Sequence, residues 1–142
     1  MGSDRIRVKV EAIFISEGRI LVEKVYNESE SVAWYVSPGG GVEFGETSLE
    51  ALKREVKEEL NWELDDAQSL GTFESIHTIN GKSEHEIVFA FLIQATDPAW
   101  TDSGLISVSE PNGAKKVFQW RDLNEIRAEN ALLYPDGLFE AL

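Results

Sequence analysis

Only one long segment of this chain carries a clear helical period, and it sits mid-chain with β-type alternation on both sides. Within Thr47 to Leu60, the residues Leu49, Leu52, Val56 and Leu60 recur at spacings of three and four, which is one apolar stripe. Thr47 with Glu50 three positions later forms a capping box at the start. Asn61 follows the stripe and suits the left-handed turn that ends a helix. One strong helix embedded among strands points to an α+β fold with a mixed sheet.

The strands are read from alternation and turn residues. Arg5 to Ile15 begins with Ile6, Val8 and Val10 on one face and Arg5, Arg7 and Lys9 on the other. Glu17-Gly18 is a turn into a second strand, Arg19 to Tyr26, and Asn27 to Ser31 is polar loop. Trp34 to Val36 is a short strand, stopped by Pro38 and the glycines Gly39, Gly40 and Gly41. Leu70 to Thr78 and His85 to Ala95 flank Asn80-Gly81 and predict a hairpin. Asp97 to Lys116 reads as a long surface loop and Val117 to Trp120 as a short strand. Asp122 to Ala128 and Pro135 to Leu142 read as short helices. With 142 residues, 42% of them hydrophobic, the chain suits a single domain spanning 1–142.

Charge narrows the partners. Thirteen Lys and Arg against 26 Asp and Glu give a net charge of −13, a field that disfavours a nucleic acid polymer. A small phosphorylated ligand stays open, because a divalent cation bridges carboxylate to phosphate. The absence of cysteine rules out disulfides and thiolate metal sites. The longest apolar run, Ile87 to Ile93, is too short to span a membrane, and a cytoplasmic protein is expected.

The helix carries its carboxylates in an unusual place. On a helical wheel Glu55 and Glu59 share one flank of the apolar stripe and Glu58 lies beyond Glu55, all within about a third of a turn. Like charges at these spacings cost a few tenths of a kcal/mol each. A solvated acidic face accounts for solubility but not for this repulsion. A hard divalent cation such as Mg²⁺ accounts for the repulsion, since it takes oxygen ligands and keeps waters that phosphate oxygens replace. Arg54 offsets part of the charge, toward Glu50 or Glu58. The glycine run just ahead of the helix permits close backbone approach.

These residues resemble the Nudix box. Gly40, five residues, Glu46, seven residues, then Arg54-Glu55-Val56, Lys57 and Glu58-Glu59 match the family pattern. Agreement at the six fixed Gly, Glu and Arg positions by accident is on the order of one in ten thousand. The chain departs at Asn61, where the family has Gly, and at Trp62, where it has an aliphatic residue. Asn retains the left-handed conformation at modest cost.

The resemblance implies a Nudix-like α/β/α sandwich around a mixed β-sheet. It implies hydrolysis of a diphosphate linkage in a nucleoside diphosphate derivative, with Mg²⁺ or Mn²⁺ as cofactor. Carried over by position, Glu55, Glu58 and Glu59 would ligate the metal, with the Gly40 carbonyl as a further ligand. Arg54 would pair with carboxylates, and Glu46 would support the site from the loop. Glu58 is the candidate general base; Glu86, opening the strand Ile87 to Ile93, is the alternative, and a solvent-facing strand end is its plainer reading. Arg5, Arg7 and Lys9, and likewise Lys24, are candidates for substrate phosphate or for an ordinary solvated strand face. Trp34 is a candidate for stacking on a base or for core packing, and Phe44 and Tyr35 share that ambiguity. His77 and His85 read as turn residues or phosphate contacts. Trp100, Trp120 and Phe139 are assigned to core or an oligomer contact. The expected partner is a small nucleotide-type molecule, and a homodimer is common in the family. A non-catalytic nucleotide sensor on the same fold is the rival reading, but such a module would be expected to lose box carboxylates that this chain keeps.

Overall fold

A computed structural model describes residues 5–27, 32–79, 81–129 and 131–142. Among these residues the strands are β1 (Ile6–Ser16), β2 (Arg19–Asn27), β3 (Val32–Val36), β4 (Gly39–Gly41), β5 (Gln68–Ile79), β6 (Lys82–Gln94), β7 (Ile106–Ser109), β8 (Lys115–Asp122) and β9 (Leu132–Leu133). The helices are α1 (Ser48–Leu60), α2 (Pro98–Thr101), α3 (Leu123–Ala128) and α4 (Leu138–Ala141). The main sheet runs β5-β6-β1-β2-β3-β9, with β4 on β1 and the β7–β8 pair on β2. It is mixed: β1–β6 and β3–β9 are parallel and the other pairs antiparallel.

Helix α1 forms for the reasons its sequence gives. Thr47 accepts from the Glu50 N–H and the Glu50 side chain accepts from the Thr47 N–H, completing the box. Asn61 closes the helix at φ 58° with its N–H on the Lys57 carbonyl. Ala51, Leu52, Val56 and Leu60 are buried against Val10, Ala12 and Phe14 of β1. Each Leu or Val so buried contributes about 1.5–3 kcal/mol. Trp62 finds a place of its own, edge-on to Phe14 and stacked on Trp100 at 4.6 Å. The opposite face of the sheet packs Ile13, Ile20, Val22 and Tyr35 against Ile126, Leu133 and Leu138. The sheet therefore has α1 on one side and α3 with α4 on the other, the expected layering.

Four expectations change. The glycines do not merely stop β3: Gly39–Gly41 is itself a strand, with Gly39 opposite Glu11 and Gly40 opposite Val10. A Cβ on Gly39 would fall 2.0 Å from the Val10 carbonyl oxygen, so only glycine lets the two backbones meet. The segment Asp97 to Lys116 is not a plain loop. Asp97 caps α2, and Ile106–Ser109 pairs with Lys115–Asp122 across a Pro-Asn-Gly turn. The terminal helix is shorter than predicted, confined to Leu138–Ala141. At the start of β1, Ile6 and Val8 are exposed, and the buried stretch begins only at Val10. The hairpin closes with Ile79 opposite Lys82, while Asn80 and most of the predicted 27–31 loop lie outside the described residues.

Candidate active site

Strand β4 and helix α1 build one cleft together. Pairing with β1 fixes the glycines, and α1 then passes so close that a Cβ on Gly40 would lie 2.4 Å from Cδ of Glu55. Arg54 ties the parts together. Its Nε and Nη2 donate to the two Glu46 oxygens at 2.7 and 2.9 Å, Nη2 to the Gly41 carbonyl at 2.9 Å, and Nη1 to Glu55 at 2.8 Å. Its contact with Glu58 is longer, 3.4 Å, so Glu46 is the principal partner rather than Glu50 or Glu58. The Glu46 carboxyl is held down to about 2 by those Arg54 hydrogen bonds and the Glu43 N–H. The Arg54 guanidinium is correspondingly raised, chiefly by Glu46.

The three helix carboxylates sit in different surroundings. Glu55 and Glu59 are both partly buried, and that burial raises the pKa of each. Arg54 opposes the shift at Glu55; Lys116 and the Gly39 N–H, which donates to Glu59 Oε1 at 2.8 Å, oppose it at Glu59. Glu58 stays open, its side chain 59% exposed. With Gly39, Gly40, Glu110 and Lys116 they line a cleft of about 380 Å³. Among the described residues no three acidic or histidine side chains already stand in a metal-binding arrangement; Glu55 is paired with Arg54 and Glu59 with Lys116. The donor set still fits a hard dication. It consists of oxygen ligands only, and the missing Cβ of Gly40 leaves its backbone next to Glu55.

A second cleft, also about 380 Å³, opens between β1, β2, β3, β5 and β6. Arg7, Lys9, Glu23, Val25, Trp34, Val36, His77, Glu86 and Tyr134 line it. Glu86 is buried there, so it is not a solvent-facing strand end. It accepts from the Tyr134 hydroxyl and pairs with Arg7 at 3.5 Å and Lys9 at 3.7 Å. Tyr134 rises well above the usual phenol range through burial and the Glu86 contact. Trp34 packs with Tyr134 and His77 in the cleft wall.

Two carboxylates feel charges from both clefts. Glu23 lines the second and is raised by burial, while Lys116, Glu59 and Glu110 of the first act on it. Glu11 is 1% exposed, its Oε1 has no hydrogen-bond partner, and burial pushes its carboxyl up to about 8. It feels Lys9 and Glu86 on one side and Glu59 and Lys116 on the other.

The box residues Gly40, Glu46, Arg54, Glu55, Glu58 and Glu59 thus come together as the sequence pattern demands. Arg7, Trp34 and Glu86 gather in the second cleft. Glu46 serves Arg54 and does not line either cleft. Lys24 lies elsewhere, with its Nζ 5.8 Å from the centre of the Tyr35 ring. Tyr35 is buried and bonded to Arg121 and Glu129, and Phe44 is fully exposed. His85 pairs with Glu74 outside the cleft. Trp100 and Trp120 are core-edge residues, the Trp120 N–H donating to the Trp100 carbonyl. Sequence reasoning missed Glu11, Glu23, Glu110, Lys116 and Tyr134. Glu11 had a visible signal, an acid inside the apolar run from Val10 to Ile15.

The sequence matches the family described as NUDIX domain over residues 5–140. No curated protein matches it. Among solved structures, a MutT NUDIX hydrolase from Burkholderia pseudomallei is 28% identical. The two share a TM-score of 0.60, with 85% of this chain and 86% of that one covered. A NUDIX hydrolase from Nitrosomonas europaea shares the fold at 19% identity and TM-score 0.61, covering 96% of this chain and 86% of its own. The E. coli ORF135 protein does so at 21% and 0.60, also with 96% and 86% covered. Among the described residues no helix is long and apolar enough to cross a membrane. The chain belongs to the NUDIX domain family and is a Nudix-type pyrophosphohydrolase, a hydrolase of nucleoside diphosphate-linked compounds.

Proposed function

We propose that the protein cleaves the diphosphate linkage of a small nucleoside diphosphate derivative by attack of water at phosphorus, with Mg²⁺ as cofactor and Mn²⁺ as a substitute. Glu55, Glu58, Glu59 and the Gly40 carbonyl would hold the ion. The observation that carries this reading is a pair of clefts coupled electrostatically through Glu11 and Glu23, one lined by the box carboxylates and the other by Trp34, Tyr134 and cationic side chains. The first suits the diphosphate and the second the nucleoside.

When bound, the ion neutralises phosphate charge, lowers the pKa of water and stabilises the departing phosphate. The chain supplies the rest. Arg54 fixes the loop by gripping Glu46 and the Gly41 carbonyl, so that Gly40 stays against Glu55. Glu58, the most open of the three acids, receives the proton of the attacking water. Glu86 is engaged by Tyr134, Arg7 and Lys9, and serves better to orient those groups around the nucleoside than to take a proton. Trp34 and Tyr134 give the cleft an apolar wall on which a base packs.

A panel of nucleotide sugars, dinucleoside polyphosphates and nucleoside triphosphates, assayed with Mg²⁺ and with EDTA, tests the reading. Turnover abolished by EDTA supports it. Tight binding without turnover across the panel would replace it with the sensor.

A further inference from the structure

Lys116 enters the site from β8, 57 residues away in sequence from its partner. Its Nζ lies 3.1 Å from Glu59 Oε2 and 3.1 Å from Glu110 Oε1. Glu59 is fully engaged as a result, since Oε1 already takes the Gly39 N–H. Two carboxylates at 3.1 Å hold the ammonium between them, so a positive charge sits in the cleft beside Glu59. A fixed charge in that place conflicts with the binding of a dication by Glu59, because like charges a few ångströms apart in a half-buried cleft repel strongly. The conflict has a resolution within the cleft. Glu110, on the turn between β7 and β8, holds the same ammonium at the same distance, and both side chains are only about one-third exposed.

We propose that Lys116 is a resident cation of the ion-free site, which releases Glu59 when a divalent ion binds, stays tethered to Glu110, and offers its ammonium to the substrate phosphate. This rests on the diphosphohydrolase reading above. Lys116 thereby joins the site twice: it balances the buried carboxylate before the ion arrives and adds a phosphate contact afterwards. Glu110 is its positioning residue and sets how readily the ammonium leaves Glu59.

The test is Mn²⁺ binding to the full chain without substrate, followed by electron paramagnetic resonance of the free ion. Lys116→Met is expected to tighten Mn²⁺ at least fivefold. Lys115→Met, which removes the same charge from an exposed neighbour, is expected to change it less than twofold. Glu110→Gln is expected to weaken Mn²⁺ at least twofold in the native background and to have no effect in the Lys116→Met background. With substrate, Lys116→Met is expected to raise KM at least fivefold. Unchanged or weaker binding by Lys116→Met, equal tightening by Lys115→Met, or an undiminished Glu110→Gln effect in the double variant overturns the inference. Where the native protein takes up Mn²⁺ and one of those results appears, the inference alone falls. Where neither the native protein nor Lys116→Met takes up Mn²⁺, the ligand assignment falls with it.

Discussion

Arg54 meets Glu46 in a two-pronged pair, with Nε on one carboxylate oxygen at 2.7 Å and Nη2 on the other at 2.9 Å. Only the planar guanidinium does this while also reaching the Gly41 carbonyl and Glu55, which a lysine ammonium does not. The pair locks the loop before α1 to the helix itself, and through Gly41 it locks β4.

Replacing Arg54 by Lys is therefore expected to lower kcat by about 10–100-fold, the usual loss when a residue supporting a metal site is disturbed. Steady-state kinetics with saturating Mg²⁺ checks it. The pH behaviour has a definite sign. The Glu46 pKa falls from 4.5 to about 2 in the folded protein, so its contribution to stability is present above pH 4.5 and is lost as pH falls toward 2. Glu46→Gln is expected to flatten that part of an acid-unfolding profile.

Gly40 presents a steric prediction. A Cβ there would sit 2.4 Å from Cδ of Glu55 and 2.5 Å from both of its oxygens. The methyl group of Gly40→Ala displaces the carboxylate or the strand. Overpacking of this kind costs about 1–3 kcal/mol, and the displaced group is a proposed ligand. Thermal unfolding is expected to show a modest drop in Tm, together with a tenfold or greater loss of Mn²⁺ affinity.

Glu11 makes the opposite pH prediction from Glu46. Its pKa rises from 4.5 to about 8 on folding, mainly through burial, with Glu86 and Glu59 adding to it and Lys9 and Lys116 opposing. Between those values the native state binds a proton that the unfolded state releases. Stability is then highest below pH 4.5 for this group, and it declines as pH rises through 8. The decline is on the order of a few kcal/mol. Denaturant unfolding of the ion-free protein from pH 5 to 9 is expected to show it, and Glu11→Gln is expected to remove most of it.

The helix, its caps and its carboxylates were legible because each depends on residues within four positions of one another. Asn61 and Trp62, the two departures from the family pattern, show how far local reading goes. Asn61 takes the left-handed turn as predicted. Trp62 is explained by distant partners, Phe14 of β1 and Trp100, which stacks on it from a segment that read as polar loop. Strand β4 was hidden because glycine has no strand preference of its own; the close approach of β1 makes it a strand. Strand β7 was hidden by its length, four residues among turn formers. Lys116 and Tyr134 escaped for a further reason. Their roles come from partners 57 and 48 residues distant, and nothing in their own neighbourhoods distinguishes them from an ordinary surface lysine and tyrosine.

The central claim is that Glu55, Glu58 and Glu59 hold a divalent ion against a bound diphosphate. The most direct measurement is calorimetric titration of Mg²⁺ into the protein saturated with a non-hydrolysable nucleoside diphosphate analogue. The account predicts uptake of at least one ion, with affinity reduced tenfold or more in Glu55→Gln and in Glu59→Gln. An absence of uptake, or equal affinity in the native protein and both variants, would contradict it.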